Sequence, residues 1–220
     1  MSRKLSGGLL HGVSLSPFVR KVRVVLEAKG IEYSLVNVMP GAMDPEFLAK
    51  SPLSKIPVWE EDGWTLPDSS AICAYLERCV PSPAFYPQDE RAFAKSLFWE
   101  EYADTRLVES SAPIFFQRIV RQRVFKEAPD EELVRRYEEE LLPPVFDQLE
   151  TLFIERDRAD ASQLTIGNIS VWSPFVNLEH SGFELDAGSW PGLSAFLATL
   201  DEHPVLRDLI EEERAALAAF

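Results

Sequence analysis

A change of pattern near residue 80 limits the possible fold more than any other feature of the chain. Before it, short apolar segments alternate with helix-length amphipathic ones; after it, only helical periodicity remains. Leu9 to Val13 reads as a short buried strand. Ser16-Pro17 then supplies a helix start, with serine at the N-cap and proline at the first helical position. Phe18, Val22, Val25 and Leu26 fall on one face of that helix, and Gly30 suits its left-handed exit. Ile31 to Val38 reads as a second strand, ended by Pro40-Gly41, and a short helix through Phe47 and Leu48 precedes Ser51-Pro52. Val58 to Glu60 and Trp64 to Leu66, joined at Asp62-Gly63, read as a hairpin. Asp68-Ser69-Ser70 then caps a helix that turns Ile72, Tyr75, Leu76 and Cys79 inward. The order β-α-β-α-β-β-α predicts an α/β layer.

Pro81, Pro83 and Pro87 stiffen a linker around Phe85-Tyr86. From Gln88 a long amphipathic helix runs to about Phe125, with Pro113 as an expected kink. Asp130 caps a second, which Pro143-Pro144 bends or breaks, and Thr165 opens a third. Shorter helices are expected from Trp190 and Val205. The organisation is therefore α/β plus all-α: an α/β domain over residues 1–80, a linker over 81–88, and an all-helical domain over 89–220. Charge divides at the same place. Residues 1–80 carry nine Lys/Arg and nine Asp/Glu, whereas the rest carry 13 and 27, so the net −14 belongs to the second part.

Hydrophobic residues make up 46% of the chain, with 14 Phe and 5 Trp, enough for a packed core. The apolar runs fall short of the roughly 20 residues that cross a bilayer, and MSRKLSGGLLHGVSLSP lacks the apolar core of a signal peptide. A soluble, cytoplasmic protein without a membrane partner is expected. Acidity without a basic stripe argues against nucleic acid. Arg20, Lys21 and Arg23 cluster beside Ser16-Pro17, where a small anion could be drawn. Cys73 and Cys79 lie six apart in one expected helix and do not face each other on adjacent turns, so neither a mutual disulfide nor a metal site is expected. His11, His180 and His203 are scattered and read as structural.

Three stretches, "SPFVRKVRVVLEAKGI", "SPLSKIPVWEEDGWTLPDSSAICAYL" and "LTIGNISVWSPF", carry a resemblance to the cytosolic glutathione S-transferases over nearly the whole chain. It implies a thioredoxin-like N-terminal domain followed by an all-helical C-terminal one. In the tau and zeta classes a catalytic serine stands six residues before the Val-Arg of the first helix, and Ser16 holds that place before Val22-Arg23. The omega class has a cysteine there and the beta class one a few residues earlier, near Val13. This chain has neither, which points to activation of glutathione's own thiol rather than mixed-disulfide chemistry.

The resemblance implies a role for each site residue. Ser16 would point its O–H at the glutathione sulfur while its oxygen caps the helix; a plain N-cap is the simpler reading from spacing alone. Ser14, two residues earlier in an expected extended segment, would face the same side and competes for the role. The Ile56-Pro57 bond is trans by composition and cis by resemblance, with the Ile56 backbone pairing with the cysteinyl unit of the tripeptide. Lys55 would reach the glycyl carboxylate; otherwise it is a solvated lysine. Asp68 and Ser69 cap a helix in either case, and by resemblance Ser69 also takes the γ-glutamyl carboxylate and Asp68 its ammonium. The family more often has Glu before Ser, so Asp68 shortens that reach. Tyr102, Arg106, Ile114, Phe115 and Phe116 are candidates for a hydrophobic second-substrate pocket, although an aromatic run at helical spacing also suits a core. Thr165 and Asn168 occupy the place of an N-capping box, with Asn168 free to bond back but bringing no charge.

The function implied is a glutathione transferase, typical of detoxification, with glutathione as co-substrate and a small hydrophobic electrophile as second substrate. Isomerase, dehalogenase or etherase variants would use the same first-domain site. A non-catalytic binding or scaffold protein is the alternative; such relatives often lose the Ser, Lys or Asp-Ser set, and this chain keeps all three. The resemblance also implies a homodimer.

Overall fold

In a computed structural model, which describes Leu5 and residues 7–218, the chain forms two compact units divided between Tyr86 and Pro87. The first holds strands β1 (Gly8–Gly12), β2 (Tyr33–Asn37), β3 (Val58–Glu61) and β4 (Trp64–Pro67) with helices α1 (Pro17–Ala28), α2 (Pro45–Lys50) and α3 (Ser69–Cys79). The sheet order is β2-β1-β3-β4. β1 runs parallel to β2 and antiparallel to β3, with Leu10 opposite both Leu35 and Trp59; β3 and β4 close the hairpin, with Trp59 opposite Leu66. This is the mixed four-stranded sheet of a thioredoxin-like domain.

Helix α1 is enclosed on more than one face. Val19 through Leu26 are all buried, including Arg20, Lys21 and Arg23, whereas Phe18 is only half-buried. The sequence pattern marked one apolar stripe, and a helix packed on several sides exceeds it. Two of its charged residues find partners inside: Lys21 Nζ donates to Ser70 Oγ at 3.2 Å, and Arg23 Nε donates to the Tyr33 hydroxyl at 2.8 Å, while Arg23 Nη1 is buried without a hydrogen-bond partner. Burial pushes the Tyr33 hydroxyl up to about 12, so it stays protonated and donates onward to Glu27 at 2.9 Å. In α3, Ile72, Cys73, Leu76 and Cys79 are buried and Tyr75 is half-buried; both cysteines are free thiols.

The second unit is helical throughout. Glu90–Tyr102 (α4) passes through a π-wound turn at Ala103–Leu107 into Val108–Phe115 (α5), followed by a second π segment, Phe116–Val124. Helical winding continues across Pro113, with π turns on both sides; the missing proline N–H and ring are accommodated without ending the element. Glu131–Arg136 (α6) and Pro143–Gln148 (α7) each continue into a π segment, and Pro143 sits at the first position of its helix. Helices α8 (Ile166–His180), α9 (Pro191–Asp201) and α10 (Pro204–Ala218) complete the unit. The last is not short: its 15 residues equal α8, because Pro204 can open a helix whose Leu206, Leu209, Ile210 and Leu217 are buried.

Helix α8 packs against α4 through Gly167. A Cβ there would lie 2.8 Å from the Ser96 carbonyl oxygen, and Gly167 N–H already donates to Ser96 Oγ at 3.1 Å. Replacing Gly167 with alanine must separate two backbones, and we expect a loss of about 1–3 kcal/mol in urea unfolding. Thr165 caps the same helix, accepting from Asn168 N–H at 3.2 Å. The Asn168 amide does not reach back to Thr165; its Nδ2 donates to the Asp160 and Gln163 carbonyls, both at 2.9 Å. An amide can donate where a carboxylate cannot, so only half of the reciprocal box forms.

Asp157 ties α4 to the end of the last π segment. It accepts from Trp99 Nε1 at 3.0 Å and pairs with Arg156 at 3.0 Å and Lys95 at 2.9 Å. The Arg156 hydrogen bond, then Lys95 and Trp99, hold its carboxyl well below the usual range despite burial. A depressed carboxylate stabilises the fold above its unfolded pKa, and that stabilisation fades as pH falls through the folded value. Asp157→Asn should therefore cost about 1–2 kcal/mol at neutral pH, kept small because both cations are more than half exposed. The difference from the parent should shrink toward about pH 2 in paired urea titrations.

Candidate functional site

The antiparallel pairing of β3 with its two neighbours gathers three chain passages at one end of the sheet. His11 faces Val58 and Val58 faces Pro67, so the exit of β1, the entry to β3 and the exit of β4 lie side by side. The first is the turn Val13 to Ser16 leading into α1, the second is Lys55-Ile56-Pro57, and the third is Asp68 opening α3. Two contacts tie them together: Asp68 N–H donates to the Pro57 carbonyl at 3.3 Å, and Lys21, just after the first turn of α1, holds Ser70 in the first turn of α3. Both helix N-termini, with their positive dipole ends, open toward this end of the sheet.

Ser16 is the N-cap of α1, half-buried, with its Oγ accepting from Val19 N–H at 3.4 Å. That cap bond is long, so the hydroxyl proton and a second lone pair remain for another partner. Ser14 is not in an extended segment. Ser16 N–H donates to the Val13 carbonyl at 3.1 Å, closing a turn with Ser14 and Leu15 at its centre. The two-residue spacing thus does not place both hydroxyls on one side. Gly12 permits this geometry: a Cβ there would lie 2.5 Å from Val19 Cγ2 and 3.5 Å from Ile56 Cβ.

The Ile56-Pro57 bond is cis, and both residues are buried. Lys55 before it is exposed, and Ser51 braces its backbone: Ser51 Oγ accepts from Lys55 N–H at 3.1 Å and donates to the Lys55 carbonyl at 2.7 Å. Asp68 adopts a positive φ of 81°, uncommon for a side-chain-bearing residue, and its Oδ1 accepts from the Ser70 and Ala71 amides at 3.0 and 3.1 Å. The Ser69 N–H lies outside that cap. From sequence, Ser51 and Ser70 take only local roles, a helix break and a helix cap, and Gly12 takes none; for Ser51 the signal of a further role is its place in the SPLSKIP stretch, four residues before the lysine.

Arg20, Lys21 and Arg23 do not present a cationic surface beside Ser16; all three are buried and engaged within the fold. In the second unit, Tyr102 is half-buried and donates to Gln148 at 2.6 Å, with burial raising its pKa. Arg106 is exposed, Ile114 fully buried, Phe115 half-buried, and Phe116 is 44% exposed with its ring 6.2 Å from that of Phe125. A broad, open hollow of about 820 Å³ lies at the opposite end of the sheet, among Gly8, Glu32, Tyr33 and Asp62, away from Ser16, Ile56 and Asp68. Among the described residues no cluster of His, Cys, Asp or Glu is arranged to hold a metal ion, and no helix is long and apolar enough to cross a membrane.

A thioredoxin-like sheet with two helix N-termini facing one end, followed by a helical unit, defines a class of two-domain protein. Residues 10–84 match the model of the glutathione S-transferase N-terminal domain. Glutathione S-transferase omega-1 of Rattus norvegicus is 25% identical over 203 residues, covering 89% of this chain and 77% of the rat protein. Glutathione S-transferase U10 of Arabidopsis thaliana is 29% identical over 119 residues, which span 53% of this chain and about half, 51%, of the plant protein. The crystal structure of a glutathione S-transferase from Rhodospirillum rubrum F11 superposes with a TM-score of 0.80 at 25% identity, covering 92% of this chain and 91% of the other. Residues 10–84 are thus matched as a glutathione S-transferase N-terminal domain, and similarity to glutathione S-transferases extends over about nine-tenths of the chain.

Proposed function

We propose that this chain is a serine-type glutathione transferase, which binds glutathione as co-substrate and ionises its thiol for attack on a small hydrophobic electrophile. The observation that supports this most is the convergence of the Ser16 N-cap, the Ile56-Pro57 passage and the Asp68-Ser69 cap at one end of the sheet, tied by the Asp68 to Pro57 hydrogen bond of 3.3 Å. Free glutathione thiol, with a pKa near 8.5, is only a few per cent ionised at neutral pH. A hydrogen bond from Ser16 to the thiolate contributes about 1.5–3 kcal/mol and the α1 N-terminus about 0.3–1. Together they lower the thiol pKa by roughly 1.5–3 units, which makes thiolate the main form. Nucleophilicity falls with pKa, so ionisation alone gives about a tenfold rate gain, and positioning of the electrophile supplies the rest.

In this reading the Ile56 backbone pairs with the cysteinyl unit, exposed Lys55 takes the glycyl carboxylate, and the Ser69 N–H and hydroxyl take the γ-glutamyl carboxylate with Asp68 near its ammonium. Lys55→Ala should then weaken glutathione binding about five- to tenfold in calorimetric titration while leaving the bound thiol's ionisation unchanged, since screening limits an exposed ion pair to about 1 kcal/mol. Turnover of glutathione with a small aryl halide tests the activity itself. Absence of any glutathione binding would favour a non-catalytic scaffold. We also propose a homodimer, and a sedimenting species of only 24.9 kDa at micromolar concentration would count against it.

A further inference from the structure

The second unit contains a half-open cavity of about 260 Å³ between α8, the loop after it and α9. Its walls are Trp172, Phe175, Phe183, Leu185 and Leu197, predominantly apolar and aromatic. Its charged lining is of one sign: Asp201, Glu179 and Glu184 reach it, and no Lys, Arg or His does. Asp201 is the best placed of the three. One of its carboxylate oxygens, Oδ1, accepts from Trp172 Nε1 at 2.7 Å, and the other has no hydrogen-bond donor among the described residues. The carboxylate is half-buried, and burial raises its pKa, with Glu179 and Glu202 adding to the rise while the Trp172 hydrogen bond and Arg214 oppose it. Arg214 pairs directly with Glu179 and acts on Asp201 only through its field.

We propose that this cavity is a binding site for a small amphipathic ammonium, a one-ring primary amine whose cation pairs with Asp201 and whose ring lies among Trp172, Phe175 and Phe183. An apolar ligand alone would leave the carboxylate desolvated and unpaired; an anion would meet three carboxylates; a fully polar cation would leave the aromatic walls uncovered. An ammonium beside indole and phenyl faces also gains from their negative quadrupoles. Aromatic walls with one oriented polar group are the usual composition of a small-molecule pocket. The site lies wholly within the helical unit and uses none of the residues assigned to glutathione.

Phenethylamine and its neutral counterpart phenethyl alcohol, titrated separately into the full chain, distinguish the possibilities through the Trp172 indole N–H resonance. We expect saturable shifts with the amine, and at least tenfold weaker binding of the alcohol. Asp201→Asn keeps an oxygen for Trp172 and should abolish the preference for the amine. Failure of the amine to shift Trp172 saturably, equal affinity for amine and alcohol, or an unchanged preference in Asp201→Asn would each overturn the proposal. Should Asp201→Asn not fold, Leu185→Trp at the half-buried wall fills the cavity instead, and undiminished amine binding by that variant would overturn it equally.

Discussion

Replacing Lys29 with methionine is expected to cost about 3–5 kcal/mol of stability, the scale for breaking a buried ion pair while one charge stays behind. The Lys29 side chain is fully excluded from solvent. Its ammonium donates to the Val80 and Pro83 carbonyls, both at 2.6 Å, pairs with Glu77 at 2.8 Å, and lies 5.0 Å from the centroid of the Phe85 ring. An ammonium has three N–H groups, and each has an acceptor here. Glu77, itself only 14% exposed, also accepts from the Phe85 N–H at 3.3 Å. The group thus fastens the proline-rich end of the first unit to the C-terminus of α1. Methionine matches the stem but leaves two carbonyls without a donor and a carboxylate without a cation. Because total stability is on the order of 5–15 kcal/mol, urea unfolding should show the loss directly. Lys29→Met with Glu77→Met should recover much of it, since removing both charges removes the unpaired one. A loss below about 1 kcal/mol in the single variant would mean that water replaces the ammonium at little cost.

Ser16→Ala is expected to lower kcat/KM at neutral pH about tenfold while leaving the fold nearly intact. Losing a serine N-cap costs about 0.5–2 kcal/mol, and the long 3.4 Å cap bond to Val19 places this one at the low end. The thiol loses its hydrogen-bond donor but keeps the helix terminus, so its pKa rises only part of the way back. The rate deficit should therefore narrow at alkaline pH, where thiolate forms unaided; a simple folding defect would not narrow. Ser14→Ala is the control. Its position at the centre of the Val13 to Ser16 turn predicts little effect, and a loss confined to Ser14→Ala would transfer the role to that residue.

Capping chemistry made much of this architecture legible in the sequence. Ser16-Pro17, Asp68, Asp130 and Thr165 each sit where a short side-chain oxygen satisfies the first free amides of a helix, and the structure has a helix after every one. Local chemistry of this kind survives in a linear reading. What did not survive depends on distant partners. The cluster of Arg20, Lys21 and Arg23 reads as a cationic patch until Ser70 and Tyr33 arrive from other elements to bury it. The turn at Ser14 depends on a backbone hydrogen bond that alternating polarity does not encode. Lys29 and Glu77 lie 48 positions apart, and nothing in either neighbourhood announces their pairing. The site is intermediate: its residues lie in recognisable stretches, but their proximity follows from the antiparallel register of β3, which only the assembled sheet supplies.

The most direct test of the central claim is the thiolate absorbance of glutathione bound to the unmodified protein, followed from acid to alkaline pH. An alcohol and a helix terminus acting on the sulfur predict an apparent thiol pKa of roughly 5.5–7. Bound glutathione that still titrates near its free value of about 8.5 would contradict the assignment of Ser16, whatever the rate of turnover.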